Sequence, residues 1–69
     1  MSAEHPVTIW LRERGRPARW LARQVGVDPA LVSRWLRGYR PIPPDVQARL
    51  AELTGDDTMP RRVREWQQR

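Results

Sequence analysis

Cysteine and lysine are absent from this chain, and histidine occurs once. Without cysteine there is no disulfide staple and no thiolate metal site, and the lone His5 lacks the partners that a zinc centre needs. No apolar run reaches the ~18 residues of a membrane span, and residues 1–6 lack the basic and apolar regions of a signal peptide. β-Branched residues are sparse and no stretch alternates in polarity, which leaves a sheet little to be built from. A domain this small buries only about 60% of the surface its unfolded chain exposes, too little for a deep catalytic cavity. No nucleophile, base and oxyanion donors group around such a cavity. The expectation is a non-enzymatic, soluble, cytoplasmic protein with no cofactor, no metal and no membrane partner.

Arginine is what the chain has in quantity: all 13 basic residues are Arg, against 8 acidic ones, for a net charge of +5 and a sequence pI near 11.5. That balance points to a polyanionic partner. Guanidinium forks suit phosphates and guanine edges.

Glycine and proline punctuate the sequence regularly. Breaker clusters at 15–17, 26–29, 38–44 and 55–60 separate short stretches with helical spacing. They predict an all-α fold, a compact bundle of about five short helices. The division is a flexible tail at 1–6, a helix-turn-helix domain at 7–55 and a C-terminal helix at 56–69, for which a dimerisation element is one of two readings. His5 falls in the tail and is expected to be loose.

The first helix is predicted over about 7–14, with Val7, Trp10 and Leu11 buried and Gly15 ending it. In the second, Pro17 fits the first turn and Leu21, Ala22 and Val25 face inward, while Arg19 and Arg23 share another face. Trp20 lies off that inward stripe and is expected as a partly buried neighbour of the first helix. The third helix has the clearest start: Asp28 caps the free N–H groups and Pro29 occupies the first helical position. It runs over 29–37 with Leu31, Val32, Trp35 and Leu36 as its apolar side. Ala30, Ser33, Arg34 and Arg37 are left on one outward stripe, two small residues and two arginines. A fourth helix over about 44–53 buries Val46, Leu50 and Leu53, and a last one covers about 60–68 before fraying at Arg69.

Two helices that meet at a sharp angle need a small residue where their backbones approach, a glycine in the turn and apolar anchors on the second helix. Ala22, Gly26, Val32 and Trp35 supply these in order. At this point the sequence resembles the lambda-repressor-like family of Cro and XRE-type helix-turn-helix regulators, in Leu21-Ala22-Arg23-Gln24-Val25-Gly26-Val27 and Leu31-Val32-Ser33-Arg34-Trp35-Leu36-Arg37-Gly38. The resemblance extends over about 7–55. It implies a recognition helix at 29–37 in the major groove of double-stranded DNA, with the preceding helix across the backbone. Base-reading positions then fall at Pro29, Ala30, Ser33 and Arg34, with Arg34 gripping guanine O6 and N7 and Ala30 touching a thymine methyl. Arg37, Tyr39 and Arg40 become phosphate contacts. Many family members place Ser or Thr followed by Gln at the start of the second helix. Pro17 and Ala18 stand there instead, and Arg16 and Arg19 are close enough to substitute as phosphate ligands. A buried Arg–Glu pair of the family is replaced by Leu11 and Leu36, a swap that stability tolerates.

Met59, Val63 and Trp66 form an apolar strip in the last helix. One reading makes it an exposed dimerisation surface; the other folds it back onto the body. The first gives a homodimeric Cro-like repressor of phage or mobile-element type, reading a pseudo-palindromic operator with recognition helices about 34–36 Å apart. An alternative is an antitoxin-like module that seizes a protein partner through this helix and represses its own operon.

Overall fold

Proline sets where the helices begin. In the computed structural model, which describes residues 4–68, a proline occupies the first turn of α1 (Pro6–Arg14), α3 (Pro29–Leu36), α4 (Pro44–Thr54) and α5 (Met59–Gln67). At that position its missing N–H leaves no hydrogen bond unmade. Pro17 instead stands just ahead of α2 (Ala18–Val25) as its cap residue. Among the described residues these five helices are the whole regular structure and no strand forms, as the all-α expectation required. None of these helices is long and apolar enough to cross a membrane.

The core draws on every helix. Val7 and Leu11 of α1, Leu21 and Ala22 of α2, Val32 and Trp35 of α3, Val46 and Leu50 of α4, and Met59 and Val63 of α5 are buried together with Ile42. α2 packs on α3, α4 on α5, α1 on α5 and α2 on α4. The last helix therefore ties both ends of the sequence to one core. Val25, Leu31, Leu36 and Leu53, read as apolar positions, are only partly buried at its edge.

Two expectations need correction. Met59 and Val63 are 0% exposed, covered by this chain's own helices, and Trp66 lies against His5. They close the monomer's interior and offer no exposed apolar strip. Residues 56–67 accordingly belong to the same packed body as the rest. His5 is also not loose: it is 2% exposed and caps α1, its Nδ1 accepting the N–H of Val7 at 3.1 Å. Glu4 is engaged as well, paired with Arg12 at 2.6 Å. The rest of the expected tail, Met1 to Ala3, and the fraying expected at Arg69 lie outside the described residues.

Candidate nucleic-acid interface

The angle between α2 and α3 is made by three residues. Gly26 adopts φ 74°, a left-handed conformation that glycine takes without a Cβ penalty. Its N–H and that of Val27 both donate to the carbonyl of Ala22, at 2.9 and 3.0 Å, which stops α2 and turns the chain. Ala22 is buried and has only a methyl, so α3 can pack closely beside it. Asp28 then starts α3, its Oδ1 accepting the N–H of Ala30 at 2.7 Å. This is the cap the sequence predicts.

Along α3, Val32 and Trp35 point into the core. Pro29, Ala30, Arg34 and Arg37 are exposed and Ser33 is half-buried, so the outward stripe exists as one continuous face. The helix ends one residue earlier than expected, at Leu36, with Arg37 in the cap position. The reason is a closed C-terminal turn: Gly38 N–H donates to the Trp35 carbonyl at 3.1 Å and Tyr39 N–H to the Arg34 carbonyl at 2.9 Å. Gly38 takes φ 83° to allow it. Beyond this turn Tyr39 and Arg40 project into solvent, Tyr39 being 74% exposed, the one large apolar side chain so displayed among the described residues.

Arg16 and Arg19 are exposed at the start of α2. The Arg16 guanidinium sits 5.1 Å from the Trp20 ring centroid, Trp20 stacks on Trp10 with centroids 6.1 Å apart and planes at 28°, and Arg14 covers Trp10 at 5.3 Å. The result is a four-tier pile, Arg–Trp–Trp–Arg, across the α1–α2 corner. Trp20 is thus the partly buried neighbour of α1 that the sequence predicts. The arginine tiers escaped sequence reading: Trp10–Arg14 has the four-residue spacing that brings neighbours together within α1, whereas Arg16 precedes α2 and has no helical register to signal its place over Trp20.

Charge is concentrated here. Residues 16–40 hold six arginines and one acid, Asp28, whereas the remainder of the chain holds seven of each. The whole formal net charge of +5 therefore resides in this segment. The ion pairs follow the same division: Arg12–Glu4, Arg49–Glu52, Arg61–Glu65 and Arg62–Asp56 all lie outside it. Among the described residues no ion pair engages Arg16, Arg19, Arg34, Arg37 or Arg40. A helix with small and basic side chains, flanked by unneutralised guanidinium groups, is chemically suited to a groove between two rows of phosphates.

No significant match was found among curated proteins or among solved structures. A family model described as a helix-turn-helix domain matches residues 10–66, from within α1 to the last turn of α5, and the chain belongs to this Cro/XRE-type helix-turn-helix family.

Proposed function

We propose that this protein is a sequence-specific regulator of transcription that inserts α3 into the major groove of a DNA operator and represses by occupying it. The observation that carries the reading is the outward face of α3: Ala30, Ser33, Arg34 and Arg37 are displayed on a helix whose opposite face, Val32 and Trp35, is fixed in the core. Pro29, Ala30, Ser33 and Arg34 are the base-reading residues, and Arg34 is the chief reader through bidentate bonds to a guanine. Arg16, Arg19, Arg37, Tyr39 and Arg40 hold phosphates and fix the register.

On the operator the protein acts as a homodimer, because one chain is too small to reach two half-sites. The molecule measures 28 × 24 × 23 Å along its principal axes, less than the roughly 34–36 Å between successive half-sites on one face of the duplex. One chain therefore reads one half-site, and a pseudo-palindrome takes two. Selection from random DNA should yield a site with two half-sites; a single unpaired site contradicts the dimer. Arg34→Ala should weaken operator binding by about 1–3 kcal/mol and relax one base position. An equal loss on random DNA contradicts the assignment of Arg34 as a base reader.

A further inference from the structure

The segment that follows α3 is clamped at both ends. Its beginning is tied to α3 by the bonds from Gly38 and Tyr39 to the carbonyls of Trp35 and Arg34. Its far end is tied through Ile42, which is 2% exposed. The Ile42 N–H donates to Gln67 Oε1 at 2.6 Å, and its carbonyl accepts from Gln47 Nε2 at 2.8 Å. Gln47 is itself held from α5, its Oε1 accepting from Arg64 Nη1 at 3.3 Å. Trp66 closes the arrangement from below: a Cβ built on Gly38 stands 2.8 Å from Trp66 Cη2. Between the two clamps only Tyr39, Arg40 and Pro41 remain, and all three are exposed.

We propose that the last turn of α5, through Gln67 and Trp66, is the positioning element for a DNA-phosphate clamp formed by Tyr39 and Arg40. The proposal rests on the DNA-binding reading above. A flexible arginine gives up conformational freedom when it binds a phosphate, and a backbone fixed in advance reduces that loss. α3 fixes only the start of this segment, through the bonds that Gly38 and Tyr39 donate. The far end is anchored by two other elements: α5 accepts the Ile42 N–H through Gln67 and packs under Gly38, and α4 bonds the Ile42 carbonyl through Gln47. Gln67 and Trp66 are thus positioning residues that act through the backbone of the Tyr39–Arg40 segment.

The test is a double-mutant cycle in the full chain between Arg40→Ala and Gln67→Met, which keeps the length of the side chain and removes the acceptor. Operator affinity is measured from 50 to 200 mM salt. In the wild-type background Arg40→Ala should remove one phosphate contact, lowering the slope of log K against log salt by about 0.9. That amounts to about a 3.5-fold smaller loss of affinity over this range. Gln67→Met should produce much of that change by itself, and Arg40→Ala should then add little. Amide exchange should quicken at Ile42 and stay slow in α3, which separates a loosened anchor from a loosened domain. An Arg40→Ala effect of undiminished size in the Gln67→Met background overturns the positioning role and leaves the DNA-binding reading intact. No effect of Arg40→Ala in the wild type removes the clamp from the interface and the proposal with it, whereas the specificity of Arg34 is judged separately by its own substitution.

Discussion

The imidazole of His5 rests on the indole of Trp66, with ring centroids 4.6 Å apart and planes inclined at 58°. The pair joins the start of α1 to the end of α5. The imidazole is held neutral there: Nδ1 accepts the Val7 N–H, so the proton is on Nε2, which is buried without a hydrogen-bond partner among the described residues. Burial pushes the His5 pKa down to about 4 from its ordinary 6.5.

Stability should therefore fall in mild acid. Between these two pKa values the unfolded chain binds a proton that the folded chain refuses, so the folded state loses ground as pH drops. The contribution is complete above about pH 6.5 and is lost progressively down to about pH 4, with an upper size of about 3 kcal/mol. Urea titrations at pH 7 and pH 4.5 should show the loss in the wild type and a clearly smaller one in His5→Asn. Equal losses in both proteins would assign the acid sensitivity to the carboxylates instead.

Gly38→Ala should be strongly destabilising for two separable reasons. Its φ of 83° disfavours any Cβ by about 1–2 kcal/mol, and the added methyl also meets Trp66 at 2.8 Å. Adding Trp66→Leu to Gly38→Ala removes the steric part and leaves the backbone part. Thermal melts should thus show the double variant losing less than the sum of the two single losses. Strict additivity would mean that the indole yields without cost.

These contacts also mark where sequence reading stops. The Asp28–Pro29 start of α3, the turn at Gly26 and the inward placement of Val32 and Trp35 were legible because each depends on neighbours within a few residues. The same signature at His5–Pro6, a polar acceptor before a first-turn proline, was available and yields the α1 cap once it is read in the same way. Met59, Val63 and Trp66 were ambiguous for a different reason. Periodicity identifies an apolar face without saying which surface covers it, and α1 and α4 of the same chain do so. The bond from Ile42 to Gln67 has no local signal at all, since it exists only after α5 has packed.

Asp28 separates capping from charge. Asp28→Ala removes the acceptor for the Ala30 N–H and should cost about 1 kcal/mol of stability. Asp28→Asn keeps a capping oxygen and should stay within a few tenths of a kcal/mol of wild type. In DNA binding the order changes. Asp28 is the single acid in the basic segment, so both variants should bind random DNA more tightly at low salt, and the gain should shrink as salt screens it. Unchanged non-specific affinity in Asp28→Asn would place this end of α3 away from the phosphates.

The Arg–Trp–Trp–Arg pile makes a parallel prediction at the other side of the interface. Arg16 precedes α2, where no helical geometry holds its side chain, and the Trp20 face supplies a platform worth about 0.5–1 kcal/mol at an exposed site. Trp20→Leu keeps an apolar group against Trp10 but offers no π face. It should lower the melting temperature, since a half-buried indole is exchanged for a smaller side chain. Trp20→Phe also loses volume but keeps a ring. Their difference in DNA binding is therefore the informative quantity. Trp20→Leu should reduce the salt slope toward that of Arg16→Ala, because the unplatformed guanidinium no longer engages its phosphate in a fixed place, whereas Trp20→Phe should retain most of the slope. If Trp20→Leu binds the operator with the wild-type slope, Arg16 reaches the phosphate unaided and the pile serves only to join α1 to α2.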